Sequence, residues 1–194
     1  MFQLVVVASS AGGLGALAIL VEGLPRTFPV PLVIVQHLHP GHDSYIAEIL
    51  GRRTKLTVKQ VAGREALVAG RVYVAPPDRH LLIEAGPAVF LADSQPIHHL
   101  RPSADLLFES AARVCSEHIV GVVLSGSGSD GSAGATAIKM VGGIVIAQDE
   151  ETSMFFGMPQ SAIATGSVDY VLPLHAIAGT LIELTSERGS AVHE

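Results

Sequence analysis

Short apolar runs rich in Val and Ile alternate with helix-length stretches along almost the whole chain. The runs fall at residues 4–8, 32–36, 57–61, 119–124, 143–147 and 168–172. Their lack of polar alternation is what strands buried on both faces require. Between several of them lie the helical stretches 15–23, 44–53, 103–117, 134–141, 159–165 and 174–186. This alternation predicts right-handed βαβ units and an α/β fold built on a doubly wound, mainly parallel sheet of Rossmann-like type. The exception is 71–92, where the runs 72–75, 80–84 and 88–91 are separated only by Pro76-Pro77-Asp78-Arg79 and Ala85-Gly86-Pro87. Links that short predict antiparallel hairpins at an edge of the sheet. Ser103, after Pro102, is placed to N-cap the helix that follows.

With 194 residues, 48% of them hydrophobic, the chain can bury one substantial core, so a single domain over 1–186 is expected. The segment 187–194 is too polar and too rich in Gly and Ser to pack, and is expected to be a disordered tail. Cys115 is the only cysteine, which rules out an internal disulfide and fits a reducing compartment. No apolar run approaches the roughly 20 residues of a membrane helix, and Met1-Phe2-Gln3 leads into a strand without a basic segment, so a cytoplasmic protein without membrane insertion is expected. A net charge of −6, with no basic cluster beyond Arg52-Arg53, excludes nucleic acid as the expected partner, because neutralising phosphates needs a positive face.

In open parallel sheets, binding and catalytic groups collect where strands end. Ser10 follows the first run, in Ser9-Ser10-Ala11-Gly12-Gly13, where a tight strand-to-helix turn would expose its hydroxyl near the N–H groups of a helix start. His37 follows Val33-Ile34-Val35-Gln36, and Asp130 lies in the glycine-rich loop after Gly121-Val122-Val123-Leu124. If those strands are neighbours, a hydroxyl, an imidazole and a carboxylate meet at one rim. That set serves acyl transfer: the imidazole takes the serine proton, the carboxylate orients the ring, and backbone donors hold the oxyanion.

Several blocks together resemble the catalytic domain of the bacterial chemotaxis protein-glutamate methylesterases. They are Ser9-Ser10-Ala11-Gly12-Gly13, Ile34-Val35-Gln36-His37, Val72-Tyr73-Val74-Ala75-Pro76-Pro77-Asp78-Arg79-His80, Arg101-Pro102-Ser103-Ala104-Asp105-Leu106-Leu107-Phe108, Leu124-Ser125-Gly126-Ser127-Gly128-Ser129-Asp130-Gly131, and Ala147-Gln148-Asp149-Glu150-Glu151-Thr152-Ser153 with Phe156-Gly157-Met158-Pro159. The resemblance runs from about Val5 to Ile182. It implies hydrolysis of γ-glutamyl methyl esters on chemoreceptor proteins with release of methanol, deamidation of receptor glutamines, and no cofactor or metal. It also implies roles: Ser10 as nucleophile, His37 as general base, Asp130 as the group orienting it, and the backbone N–H groups of Ser127 and His37 as oxyanion donors. Ala11, Leu100 and Arg101 would border an open groove fitting a helical receptor bundle, and Arg64, Arg71 and Arg79 with Arg101 would meet its acidic surface.

The chain departs from the family pattern in three places. Ala11 stands where Thr is usual, Leu100 where His precedes the Arg-Pro-Ser run, and Ser127 where Met is usual. None of these removes a member of the Ser10, His37, Asp130 set. The typical family member also carries an N-terminal phosphoacceptor receiver domain, whereas the first strand here starts at about Leu4. Control by a separate receiver protein, or constitutive activity indifferent to acetyl phosphate, is therefore expected.

Three other readings are weighed. Gly12-Gly13-Leu14-Gly15 opens a helix after a strand, as in nucleotide-binding modules, but Ser10 stands where the dinucleotide fingerprint has its first glycine. A zinc site on His37, His39, His42 and Asp43 has suitable ligand types, but Pro40-Gly41 would splay them. An esterase or amidase of the same fold with a substrate other than a chemoreceptor is the third.

Overall fold

The computed structural model describes residues 3–37, 41 and 44–186. Its centre is a seven-stranded sheet of β1 (Leu4–Ser9), β2 (Leu32–Gln36), β3 (Thr57–Gln60), β5 (Arg71–Val74), β8 (Ile119–Val123), β9 (Ile144–Gln148) and β10 (Tyr170–Leu172). The spatial order is β10-β9-β8-β1-β2-β5-β3, and every pair is parallel. A smaller three-stranded antiparallel sheet joins β4 (Glu65–Ala66), β7 (Ala88–Ala92) and β6 (His80–Glu84) in that order.

The strand pleat sorts side chains into two cores. From β1, Val5 and Val7 face one layer, packing with Leu17, Leu20 and Val21 of α1 (Gly13–Glu22), Leu50 of α2 (Ile46–Gly51) and Ile177 and Leu181 of α6 (Leu174–Thr185). Leu4, Val6 and Ala8 face the other, which holds Leu107, Phe108 and Ala111 of α3 (Ala104–Cys115), Ile138 of α4 (Ser132–Met140) and Met158 of α5 (Gly157–Ala164). The small sheet closes this second layer through Leu81, Ile83 and Val89. Phe108 lies so close to α4 that a Cβ on Gly134 would stand 2.5 Å from its Cβ. Truncating a ring buried like this costs about 3–5 kcal/mol. No helix among the described residues is long and apolar enough to cross a membrane.

One sequence expectation is corrected. The segment Arg71–Val74 is not part of an edge hairpin: it runs parallel inside the main sheet, with Val72 opposite both Leu32 and Val58. The reason is burial, since Val72, Tyr73 and Val74 are fully enclosed. Only β6 and β7 form the hairpin, with Leu82 opposite Phe90 and Gly86 in the turn at φ +84°. Strand β4 carries too short an apolar signal to be seen in the sequence. The expected tail at 187–194 lies outside the described residues.

Candidate active site

Strand β1 lies between β2 and β8, and the three carboxyl ends open together at the point where the sheet's connections diverge. Past the strands the ladder continues by one bond on each side. The His37 N–H donates to the Ser9 carbonyl at 3.0 Å, and the Ser10 N–H donates to the Ser125 carbonyl at 3.0 Å. Ser10, half-buried, therefore stands between the β2 end and the β8 loop.

The turn after Ser10 needs its two glycines. Gly12 has φ +72°, and the Gly13 N–H closes the turn on the Ser10 carbonyl at 2.8 Å. A Cβ on Gly13 would lie 2.5 Å from Gln36 Oε1. Gln36 holds the turn from the neighbouring strand: its Oε1 accepts the Ser9 hydroxyl at 2.7 Å, and its Nε2 donates to the carbonyls of Ser10 at 2.8 Å and His37 at 3.1 Å. On the other flank, Ser125 Oγ donates to the Ala11 carbonyl at 2.9 Å and accepts the Phe155 N–H at 3.0 Å. Sequence reasoning missed Gln36 and Ser125; the available signal was a polar residue closing each of two fully apolar strands.

His37 and Asp130 meet. Nε2 of the ring lies 2.6 Å from Oδ2 of the carboxylate, with the side chains only 9% and 4% exposed. The N-terminus of α3 fixes the carboxylate: Oδ2 accepts the Ala104 N–H at 2.6 Å, and Oδ1 accepts the Asp105 N–H at 3.0 Å and the Ser103 hydroxyl at 2.9 Å. Burial alone would raise the Asp130 pKa. The bond to His37, the two backbone donors and the attraction of the ring outweigh it and hold the group down to about 2. Ionised Asp130 fixes the ring proton on Nε2, which leaves Nδ1 as the basic nitrogen. Among the described residues no hydrogen bond joins Ser10 Oγ to the ring, a contact that commonly tightens only when substrate binds.

The remaining sequence candidates take different places. Ser127 is exposed on the β8 loop, one residue beyond Gly126, where a Cβ would come within 2.9 Å of Ser10 Cβ. The expected second oxyanion donor is corrected: the His37 N–H is spent on Ser9. The N–H groups of Ala11 and Ser127 carry no protein acceptor among the described residues. Leu100 and Arg101 line a hollow with His37, Asp78, His99 and Pro102. Arg101 is not a free cation there, since it pairs with Asp78 at 2.6 Å and donates to the Ser94 carbonyl at 3.1 Å. Arg79 pairs with Asp93 at 2.7 Å and Arg64 with Glu84, so of the four arginines considered only Arg71 lacks an internal carboxylate partner among the described residues. His39, His42 and Asp43 of the weighed zinc set lie outside the described residues, and the His37 nitrogen Nε2 is engaged by Asp130.

The fold is thus an open, doubly wound, parallel α/β sheet that carries a hydroxyl, an imidazole and a carboxylate at adjoining strand ends. The chain belongs to the CheB methylesterase family, whose model matches residues 5–181. A relative from Thermotoga maritima, named protein-glutamate methylesterase/protein-glutamine glutaminase, is 42% identical over 185 residues, covering 94% of this chain and 54% of the relative. One from Anaeromyxobacter dehalogenans with a like name is 43% identical, covering 94% of this chain and 53% of the relative. This chain thus spans about half the length of those two proteins. It spans 95% of a Leptospira interrogans relative, a putative enzyme of the same name by its own description, at 39% identity over 94% of this chain. The crystal structure of the Thermotoga maritima CheB methylesterase catalytic domain superposes with a TM-score of 0.92 at 42% identity, covering 95% of this chain and 99% of that one.

Proposed function

We propose that this protein is a serine hydrolase that cleaves γ-glutamyl methyl esters on chemoreceptor proteins and also deamidates receptor glutamines. The observation that carries the reading is the 2.6 Å bond between His37 and Asp130 beside the Ser10 turn, in a chain whose relatives are named for these two activities.

The chemistry follows from the groups present. Ser10 Oγ attacks the ester carbonyl while its proton passes to His37 Nδ1, and Asp130 stabilises the imidazolium through Nε2. Negative charge builds on the carbonyl oxygen, where the Ser127 N–H, with the Ala11 N–H after the nucleophile, is the donor. Collapse breaks the C–O bond to methoxide, which takes the proton from His37 and leaves as methanol. Water then attacks the acyl-serine with its proton again going to His37; the C–O bond to Ser10 breaks, the proton returns to Oγ, and a glutamate side chain is released. With glutamine the departing group is ammonia.

The hollow beside His37, bordered by Leu100, Arg101 and Pro102, is where a side chain projecting from a receptor helix would enter. A cytoplasmic setting is part of this reading, and the free, buried thiol of Cys115 agrees with a reducing compartment. The test is methanol release from methylated receptor by wild type and by Ser10→Ala. Loss of at least about a thousandfold is expected; equal rates would end the assignment of Ser10.

A further inference from the structure

Asp105 is a second carboxylate at the site that the acyl-transfer steps do not use. It sits one residue into the first turn of α3, and its N–H is one of the donors to Asp130. Its own Oδ1 accepts the Gly131 N–H at 2.9 Å and the Gly134 N–H at 2.7 Å, and so ties the start of α4 to the start of α3. Gly131 directly follows Asp130, with φ +98°. The two carboxylates thus hold one another's backbone in a reciprocal arrangement: Asp130 accepts from the Asp105 segment, and Asp105 accepts from the Asp130 segment.

We propose, on the reading of Ser10, His37 and Asp130 given above, that Asp105 is a positioning residue for the acid–base pair: it fixes the turn that delivers Asp130, and it sets a second carboxylate against that of Asp130. Among the described residues no cation is paired with that second charge. From the β8 loop Asp105 faces Asp130, and beyond it His37 of the β2 end. From α4 it meets backbone N–H groups only, since Lys139 lies at the far end of that helix, paired with Asp169. On β6, His80 is engaged between the Ser103 N–H and the Gln95 carbonyl, and Glu84 pairs with Arg64. Glu109 and Arg113 follow on its own helix, and no Lys or Arg ion pair reaches Asp105 among the described residues.

Burial, and then the like charge of Asp130, push the Asp105 carboxyl up to about 6, while the two backbone donors resist. The pair therefore carries one negative charge below that pH and two above it. The second charge acts on the imidazolium that forms when Ser10 gives up its proton. Asp105 does not touch the substrate, so its effect belongs in kcat and in the pH profile.

The test compares the pH dependence of kcat and KM for wild type, Asp105→Asn and Asp105→Ala, with Ser10→Ala alongside. Asn keeps an acceptor for the two glycine N–H groups and removes the charge. We expect its plateau kcat to fall about threefold, its KM to stay unchanged, and the part of the acid limb that follows Asp105 ionisation near pH 6 in the wild type to be missing. Ala removes the acceptor too, and should lose rate at every pH. An Asn variant whose acid limb coincides with that of wild type overturns the electrostatic role. An Ala variant as active as wild type overturns the positioning role. Should either variant misfold, the His37 ring resonances of the wild-type protein, assigned by their loss in His37→Gln, provide the readout. An inflection near the Asp105 titration is expected there, and a single-step curve counts against the proposal. Ser10→Ala matching wild type would instead unseat the underlying reading, so the two failures are distinguishable.

Discussion

Gln36 grips Ser10 from the neighbouring strand: its Nε2 donates to the Ser10 carbonyl at 2.8 Å while its Oε1 accepts the Ser9 hydroxyl at 2.7 Å. The side chain is 6% exposed and Ser9 is fully buried, so neither partner can turn to water. Replacing Gln36 by Leu keeps much of the volume and strands these groups, at about 1–3 kcal/mol for each one left unpaired. With Ser10 as the proposed nucleophile, its misplacement by an ångström costs up to about a hundredfold. Gln36→Leu should therefore lower kcat by about 10- to 100-fold and lower Tm, whereas Ser9→Ala, which frees only one acceptor, should do less. A Gln36→Leu enzyme within twofold of wild-type kcat would show that the turn holds itself.

Gly126 is a steric requirement of the same turn. A Cβ there would overlap Met158 Sδ and come within 2.9 Å of Ser10 Cβ, and Met158 is fully buried and cannot swing away. Gly126→Ala should cost stability and activity together. Adding Met158→Ala relieves one overlap and leaves the other. The double variant is expected to recover part of the Tm lost by Gly126→Ala while kcat stays at least about tenfold down. Recovery of both in step would mean that Ser10 does not feel the added methyl.

Much of this architecture could be read from the residues because burial on both faces leaves an unambiguous trace. Runs such as Leu4-Val5-Val6-Val7-Ala8 have no polar alternation, so their parallel pairing and the position of Ser10 and His37 at strand ends follow from pattern alone. Arg71–Val74 was misread because the chain leaves the main sheet and returns within a short span. Short links signal a hairpin locally, whereas the strand's pairing with β2 and β3 is set by distant residues. The Asp130 cradle was only half legible. Ser103 reads as an N-cap, and its hydroxyl does stand 3.5 Å from the Leu106 N–H, but that the same hydroxyl and helix start would receive a carboxylate 27 positions away depends on the packing of α3 against α4. The oxyanion assignment of the His37 N–H failed for a simple reason: the β1–β2 ladder runs one bond further than the strand pattern shows.

The two carboxylates should give opposite signs of pH dependence to stability. Asp130, held at about 2 against roughly 3.9 in the unfolded chain, contributes stability above about pH 4 that is lost as pH falls towards 2. Asp105, raised to about 6, favours folding in its neutral form, and that contribution fades as pH rises from about 4 through 6. The Tm of Asp105→Asn minus that of wild type should therefore grow between pH 4 and 7 and level off above. A difference that is flat across the range would show that folding leaves the Asp105 proton affinity unchanged.

Ser127 separates a backbone role from a side-chain role. Its side chain is exposed, and its N–H has no protein acceptor among the described residues, on a loop whose preceding residue abuts Ser10. If the N–H stabilises the oxyanion, Ser127→Ala keeps the donor and should remain within about twofold of wild-type kcat. Ser127→Pro deletes the donor and should lose about a hundredfold or more, the range for a single oxyanion donor, with little change in KM. Thermal unfolding of both variants controls for loop damage, because a donor used only in the transition state leaves Tm in place. A large loss of kcat in Ser127→Ala would transfer the role to the hydroxyl, and full activity in Ser127→Pro would leave the developing negative charge to the Ala11 N–H.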